Sequence, residues 1–210
     1  FMPQLRKVLE VVPSKRQNLL FSATFSPKVE ELSHEFLEYP LKVEVAPQAT
    51  TVDTVTQYFV ETENFATKLN LIEYFLKQEE FHKVMIFVNK KTSADGVFKF
   101  LERKFKREVK VIHSNKGQNT RINAIKEFEE GKLRALVTTD VSARGIDIED
   151  VSHVINVEIP NVYIDYVHRV GRTGRAEKRG TAYTFCNKAE LLHLKKVESL
   201  IQLELDEYKI

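Results

Sequence analysis

Cysteine is almost missing from this chain: among 210 residues, Cys186 stands alone. A single thiol excludes an internal disulfide framework and a cysteine-rich metal site, and within the apolar run GTAYTFC it reads as a small buried hydrophobe. A dominant charge is missing too. With 32 Lys and Arg against 30 Asp and Glu, the formal net charge is only +2, so an anionic partner has to be held by local clusters. No apolar run approaches the ~20 residues that span a bilayer. No charged-then-apolar leader opens the chain, and the expectation is a cytoplasmic protein without a membrane partner. An initiator methionine is also lacking. Phe1 comes first, and residues 2–12 (MPQLRKVLEVV) read as a helix with no capping residue before it, which sets the expectation of a piece cut from a longer chain.

What is present is patterned as α/β. A hydrophobic content of 42% supplies one or two compact domains with a real core. Residues 18–21 read as a strand ending in Ser22-Ala23-Thr24, followed by a helix over 27–38 and a short strand over 41–45. Residues 46–54 (APQATTVDT) are polar and aperiodic and read as a linker, so the domain boundary is placed there. Beyond it, strands over 55–62, 84–88, 109–112, 135–138, 154–157 and 181–185 alternate with helices over 66–78, 93–104, 119–130 and 190–202. Apolar strands separated by helices predict a mostly parallel sheet covered on both faces, with ligands gathering at the carboxyl ends of its strands.

Three post-strand loops fall on that rim: Asn89 to Lys91, His113 to Lys116, and Thr139 to Asp147. Gln118 and Arg121 open a helix, where backbone N–H groups and a basic side chain together suit a backbone phosphate. The run TTDVSARGIDI combines the Thr139 hydroxyl, the Arg144 guanidinium, the close-approach glycine Gly145 and the Asp147 carboxylate. Further on stands HRVGRTGR. Ile164, Val167 and Val170 share a helical spacing, and Gly171 and Gly174 end that helix, so a loop carries Arg172 and Arg175. Guanidinium groups on such a segment can converge on phosphate oxygens.

HRVGRTGR and TTDVSARGIDI, preceded by IFVN and QNTR in that order, resemble the second RecA-like domain of DEAD-box RNA helicases, and His168 points to that branch. The KGQNTR stretch is similar to RhlE-type members. The resemblance implies a three-layer α/β/α RecA-like domain over 55–210. It makes 1–45 an incomplete, C-terminal fragment of a first RecA-like domain that includes the SAT motif at Ser22-Ala23-Thr24. It implies that Arg172 and Arg175 are arginine fingers for the γ-phosphate of ATP, a contact worth roughly 10³ to 10⁵ in rate. Asp147 would bind the ribose. Gln118, Arg121, Thr139, Arg144 and Gly145 would touch the RNA backbone without reading sequence. His168 and Arg169 would act across the cleft, Ser22 and Thr24 would couple the domains, and Phe87 would pack beneath the arginine loop. ATP and Mg²⁺ are implied as cofactors, held mainly by the first domain, and no metal ligand is assigned here.

Two departures qualify the resemblance. Where the family commonly has Gly-Asp, His113 is followed by Ser114-Asn115, so a backbone contact at that loop is not expected, although Lys116 could compensate electrostatically. The sequence also contains no G-x-x-x-x-G-K-S/T phosphate loop and no Asp-Glu-Ala-Asp run. The 210 residues alone are therefore expected to hydrolyse no ATP and unwind no RNA. The alternatives are a non-catalytic RNA-binding or regulatory module and a DNA translocase of related fold. Residues 1–45, with their strand edges unpaired, are expected to be disordered, refolded or self-associating.

Overall fold

The computed structural model describes residues 2–22, 27–43, 54–144, 146, 148, 150–175 and 178–209. Its chain divides into two compact units, Phe1–Gln48 and Ala49–Ile210. Of the expected linker, residues 46–53 lie outside the described residues.

Among the described residues, the first unit contains two helices, α1 (Met2–Val11) and α2 (Pro27–His34). The strands expected at 18–21 and 41–45 are a correction: residues 18–21 and 41–43 form no strand, and 44–45 lie outside the described residues. An extended segment becomes a strand only where a neighbour completes its ladder. Side chains hold the first segment instead. Arg16 donates from Nη1 to the Pro13 carbonyl at 2.7 Å and from Nε to Asn18 Oδ1 at 2.9 Å, and Asn18 Nδ2 donates to the Phe36 carbonyl at 2.7 Å.

In the second unit the elements run β1 (Val55–Glu61), α3 (Phe65–Leu76), β2 (Val84–Phe87), α4 (Lys91–Glu102), β3 (Val109–Ile112), α5 (Gln118–Glu129), β4 (Ala135–Thr138) and α6 (Asp140–Ala143). They continue with β5 (His153–Asn156), α7 (Ile164–Val170), β6 (Gly180–Cys186), α8 (Leu191–Ile201) and β7 (Asp206–Glu207). The sheet has seven strands in the order β3-β4-β2-β5-β6-β1-β7, and every pairing is parallel. Strand alternation sorts its side chains into two cores. Met85 and Phe87 join Leu136 and Val154 on one face, under Phe128 of α5, Tyr166 of α7 and Leu194 of α8. Val84 and Ile86 join Val137 and Ile155 on the other, under Phe75 of α3 and Val97 of α4. This makes three layers. Burying each such Val, Leu, Ile or Phe contributes about 1.5–3 kcal/mol, which is why the central strands read as unbroken apolar runs.

Local signals set the helix ends. Asn64 caps α3 by accepting from the Thr67 N–H at 3.0 Å, and Asn187 and Glu190 form a reciprocal capping box before α8. Two elements go beyond the expected set. The single turn α6 directly follows β4, and the two-residue β7 exists because the β1 edge accepts it: Tyr208 N–H donates to the Phe59 carbonyl at 2.8 Å. Cys186 is fully buried in β6, and burial pushes its thiol up to about 11. Among the described residues, no helix is long and apolar enough to cross a membrane.

Candidate functional site

Adjacent parallel strands β2, β4 and β5 end side by side, and the residues just beyond them meet around one arginine. Arg169 of α7 is fully buried. Its Nε donates to Asp140 Oδ1 at 2.6 Å and its Nη2 to Asp140 Oδ2 at 2.8 Å, a bidentate pair. Nη1 donates to the Glu158 carbonyl at 2.7 Å, Nη2 also reaches Asn89 Oδ1 at 2.8 Å, and the guanidinium lies 5.4 Å from the Phe87 ring centroid. Glu158 and Asn89 complete the cluster, since Glu158 Oε2 accepts from the Asn89 N–H at 2.7 Å and Asn89 Nδ2 donates to the Ile159 carbonyl at 2.8 Å. A buried cation is tolerated because each donor edge has an acceptor.

A second carboxylate sits beside it. Asp165, in the first turn of α7, is buried and accepts from Arg144 Nη2 at 2.6 Å, while His168 Nδ1 lies 3.4 Å from the same oxygen. Burial by itself would raise this carboxyl, but the hydrogen bonds to His168 and Arg144 outweigh it and hold Asp165 below its ordinary value. Phe87, Asp140, Arg144, His168, Arg169 and Arg172 line one small recess with it.

The arginine loop leaves α7 and is fastened at the opposite, amino ends of the strands. Thr173 Oγ1 donates to the Val151 carbonyl, just before β5, and Thr54 Oγ1 donates to the Gly174 carbonyl at 2.7 Å, just before β1. Gly174 has φ +70, and a Cβ there would fall 2.4 Å from Val55 Cγ2. Only glycine fits this close approach. At Gly180 a Cβ would fall 2.1 Å from Thr173 Oγ1, so the start of β6 clamps the loop from the other side. Arg172 donates from Nε to the His168 carbonyl at 3.2 Å and from Nη1 to the Ile146 carbonyl, and Arg175 Nε donates to the Gly171 carbonyl at 2.9 Å. Both side chains stay half-buried and line a cavity of about 350 Å³ with Lys178, Arg179, His82 and Asp150. Asp150 pairs with Lys178, whose hydrogen bond lowers the carboxyl below its ordinary value. Four of those six side chains are Lys or Arg, so the cavity suits an anion.

Comparison with known proteins decides what this arrangement belongs to. Residues 67–177 match the family model described as the helicase conserved C-terminal domain. The chain belongs to that family. It is 36% identical over 205 residues to the ATP-dependent RNA helicase RhlB of Shewanella oneidensis, covering 96% of this chain and 46% of the relative. It is 33% identical to the DEAD-box ATP-dependent RNA helicase 14 of Arabidopsis thaliana, covering 96% of this chain and 33% of that one. The chain thus spans half or less of the length of these relatives. Among solved structures, S. cerevisiae Dbp5 bound to RNA and ADP BeF3 has TM-score 0.87 and 28% identity, with 98% of this chain and 55% of that chain covered. A DEAD-box protein from Methanococcus jannaschii has TM-score 0.67 and 28% identity, with 99% and 55% covered. The all-parallel, three-layer unit is therefore a RecA-like helicase C-terminal domain of the DEAD-box kind. The RhlE-type subgroup stays an expectation.

Within this helicase domain the structure places the sequence-derived candidates unevenly. Phe87, Arg144, His168 and Arg172 come together in the recess, and Arg172 and Arg175 share the cavity. Thr139 is buried at the start of α6. Gln118 and Arg121 stand apart, at the first turn of α5, where Arg121 Nη1 donates to Gln118 Oε1 at 3.2 Å and Arg121 Nε is buried without a hydrogen-bond partner. Ser22 lies in the first unit, while Thr24, Gly145 and Asp147 lie outside the described residues. Arg169, expected with His168 to act across the cleft, is buried and hydrogen-bonded to Asp140, Glu158 and Asn89 of its own domain. Lys116 is likewise drawn back: its Nζ donates to Asp95 Oδ1 at 2.9 Å beside the buried His113, and the bonds from Lys116 and His113 lower the Asp95 carboxyl.

Asn89 and Asp140 lie in the rim loops with no role assigned to them there, and Glu158 and Asp165 were not among the candidates. Two signals could have found the carboxylates. An arginine inside the apolar spacing of Ile164, Val167 and Val170 needs a buried acid, and Asp165 stands three residues before His168 on the same helix face.

Proposed function

We propose that this chain is the C-terminal half of an ATP-dependent RNA helicase, in which 1–45 belong to a first RecA-like domain and 55–210 form the second. The observation that carries this reading is the basic cavity walled by Arg172 and Arg175, held in place by the clamp on Gly174 and Gly180. Two half-buried guanidinium groups on a pinned loop are a preorganised device for charge that develops on a transferring phosphoryl group. Asp147 is assigned to the nucleotide ribose, and Mg²⁺ accompanies the ATP without a ligand assigned in this chain. RNA is held through its backbone by Gln118, Arg121, Thr139, Arg144 and Gly145. The place of Gln118 and Arg121 in the first turn of α5 supports a phosphate there. Ser22 and Thr24 serve coupling between the domains.

Arg172→Ala and Arg175→Ala, made in the complete helicase this reading implies, are expected to lower RNA-stimulated ATP hydrolysis by roughly 10³-fold or more each while RNA affinity changes little. Unchanged hydrolysis in both variants refutes the finger assignment. The 210 residues alone are expected to show no RNA-stimulated hydrolysis, because the sequence holds no phosphate loop. Turnover by the purified chain refutes that part. Stimulation by DNA as strong as by RNA would favour the translocase reading instead.

A further inference from the structure

Asp165 links two of the groups assigned above. Its buried carboxylate is fixed in the first turn of α7, where Oδ1 accepts from Arg144 Nη2 at 2.6 Å and lies 3.4 Å from His168 Nδ1. The Arg144 side chain is 58% exposed, so one nitrogen is anchored on a fixed acceptor while the side chain stays open to a ligand. The same helix leads on to the arginine loop, because the His168 carbonyl accepts from Arg172 Nε at 3.2 Å. A contiguous path of hydrogen-bonded groups therefore runs from Arg144 to Arg172.

We propose that Asp165 is a positioning residue that presents Arg144 to the backbone phosphate of bound RNA. The inference rests on the reading of Arg144 as an RNA contact. An unanchored arginine on the surface loses rotamer freedom when it grips a phosphate, and anchoring it in advance is worth about fivefold in affinity. The carboxylate also sets a negative charge near the phosphate. At about 0.1 M salt that opposing effect is screened beyond ~10 Å, but within the recess it is not. The sign of the measured change therefore separates positioning from simple charge competition.

The test is a double-mutant cycle on the 210-residue chain, read as the affinity for a short fluorescein-labelled oligouridylate across a salt series. Arg144→Gln is expected to weaken binding and reduce the slope of log K against log salt by about one. Asp165→Asn is expected to weaken binding about fivefold and to add nothing once Arg144 is Gln. If Asp165→Asn binds as well as or more tightly than the parent, or if the two losses multiply, the positioning role is overturned while the Arg144 contact stands. If Arg144→Gln binds like the parent, both fall. Thermal melting identifies a variant that fails to fold, and should Asp165→Asn do so, Arg144→Lys carries the test. It keeps the charge but lacks the planar fork that Asp165 orients, and it is expected to bind within about twofold of Arg144→Gln. Parent-like affinity for Arg144→Lys overturns the proposal.

Discussion

Each unit of this chain holds an arginine against a carboxylate, and the two pairs carry opposite weight. In the first unit Arg6 Nη2 meets Glu35 Oε2 at 2.9 Å, with the two side chains 63% and 40% exposed. In the second, Arg169 Nε meets Asp140 Oδ1 at 2.6 Å with the arginine entirely enclosed. Water can replace either partner of the exposed pair, so such pairs contribute below about 1 kcal/mol. It cannot reach the Arg169 guanidinium, while Asp140 is 19% exposed. There, removal of the arginine leaves a largely enclosed carboxylate without its charged partner. The same contrast governs the apolar residues, since Phe21 and Leu41 of the first unit are 87% and 89% exposed whereas Phe87 and Ile86 are buried in the sheet. Chemistry supplies the pair, and burial decides what it is worth.

The largest break in this comparison comes from Arg169→Gln. It leaves Asp140 without its bidentate partner and is expected to cost the second unit about 3–5 kcal/mol, measured by denaturant unfolding. Next comes acid. His153 of β5 stacks on Phe81 with ring centroids 3.9 Å apart, and burial lowers its pKa from 6.5 to about 4. Between those values the unfolded chain binds a proton that the folded chain refuses, so stability present above pH 6.5 falls as the pH is lowered and levels off below about pH 4. The loss is up to about 3 kcal/mol, and His153→Phe is expected to flatten that part of the stability-versus-pH curve. Gly174→Ala follows at about 2 kcal/mol, from a left-handed conformation and a clash with Val55. A melting temperature unchanged in Gly174→Ala would mean that the loop is not pinned as described. Smallest is Arg6→Gln, expected to shift stability by less than about 1 kcal/mol; a larger loss would show that exposure does not separate the two pairs.

Much of the second unit was legible in advance because its signals are local. VMIF is apolar throughout and ALVT apolar up to its last residue, Thr138, and only strands covered on both faces need that pattern. Gly171 and Gly174 marked the end of α7 correctly, since that helix stops at Val170. The strands expected at 18–21 and 41–45 failed for the complementary reason. A strand is made by its neighbour, and the apolar run NLLF carries no information about whether one is there. At the site, Arg172 and Arg175 stand out by spacing, and Arg169 belongs to the same run, yet it is enclosed while they are half-buried. Helical position separates them: Arg169 lies within α7 on the sheet-facing side, and Arg172 lies beyond its end.

By itself the sequence determined the alternation of apolar strands and amphipathic helices, hence the parallel sheet, and it determined which residues could meet a phosphate. Those properties depend on side-chain type and short spacing. The tertiary structure alone decided which of the arginines face outward, that Asp140 and Asp165 are their partners, and that the arginine loop is fastened at the amino ends of β1 and β5 while Thr139 stands at the carboxyl end of β4. Burial and partnership arise between segments far apart in the chain. Asp140 and Arg169 are separated by 29 residues, and only the fold brings the acid to the base and takes the water away.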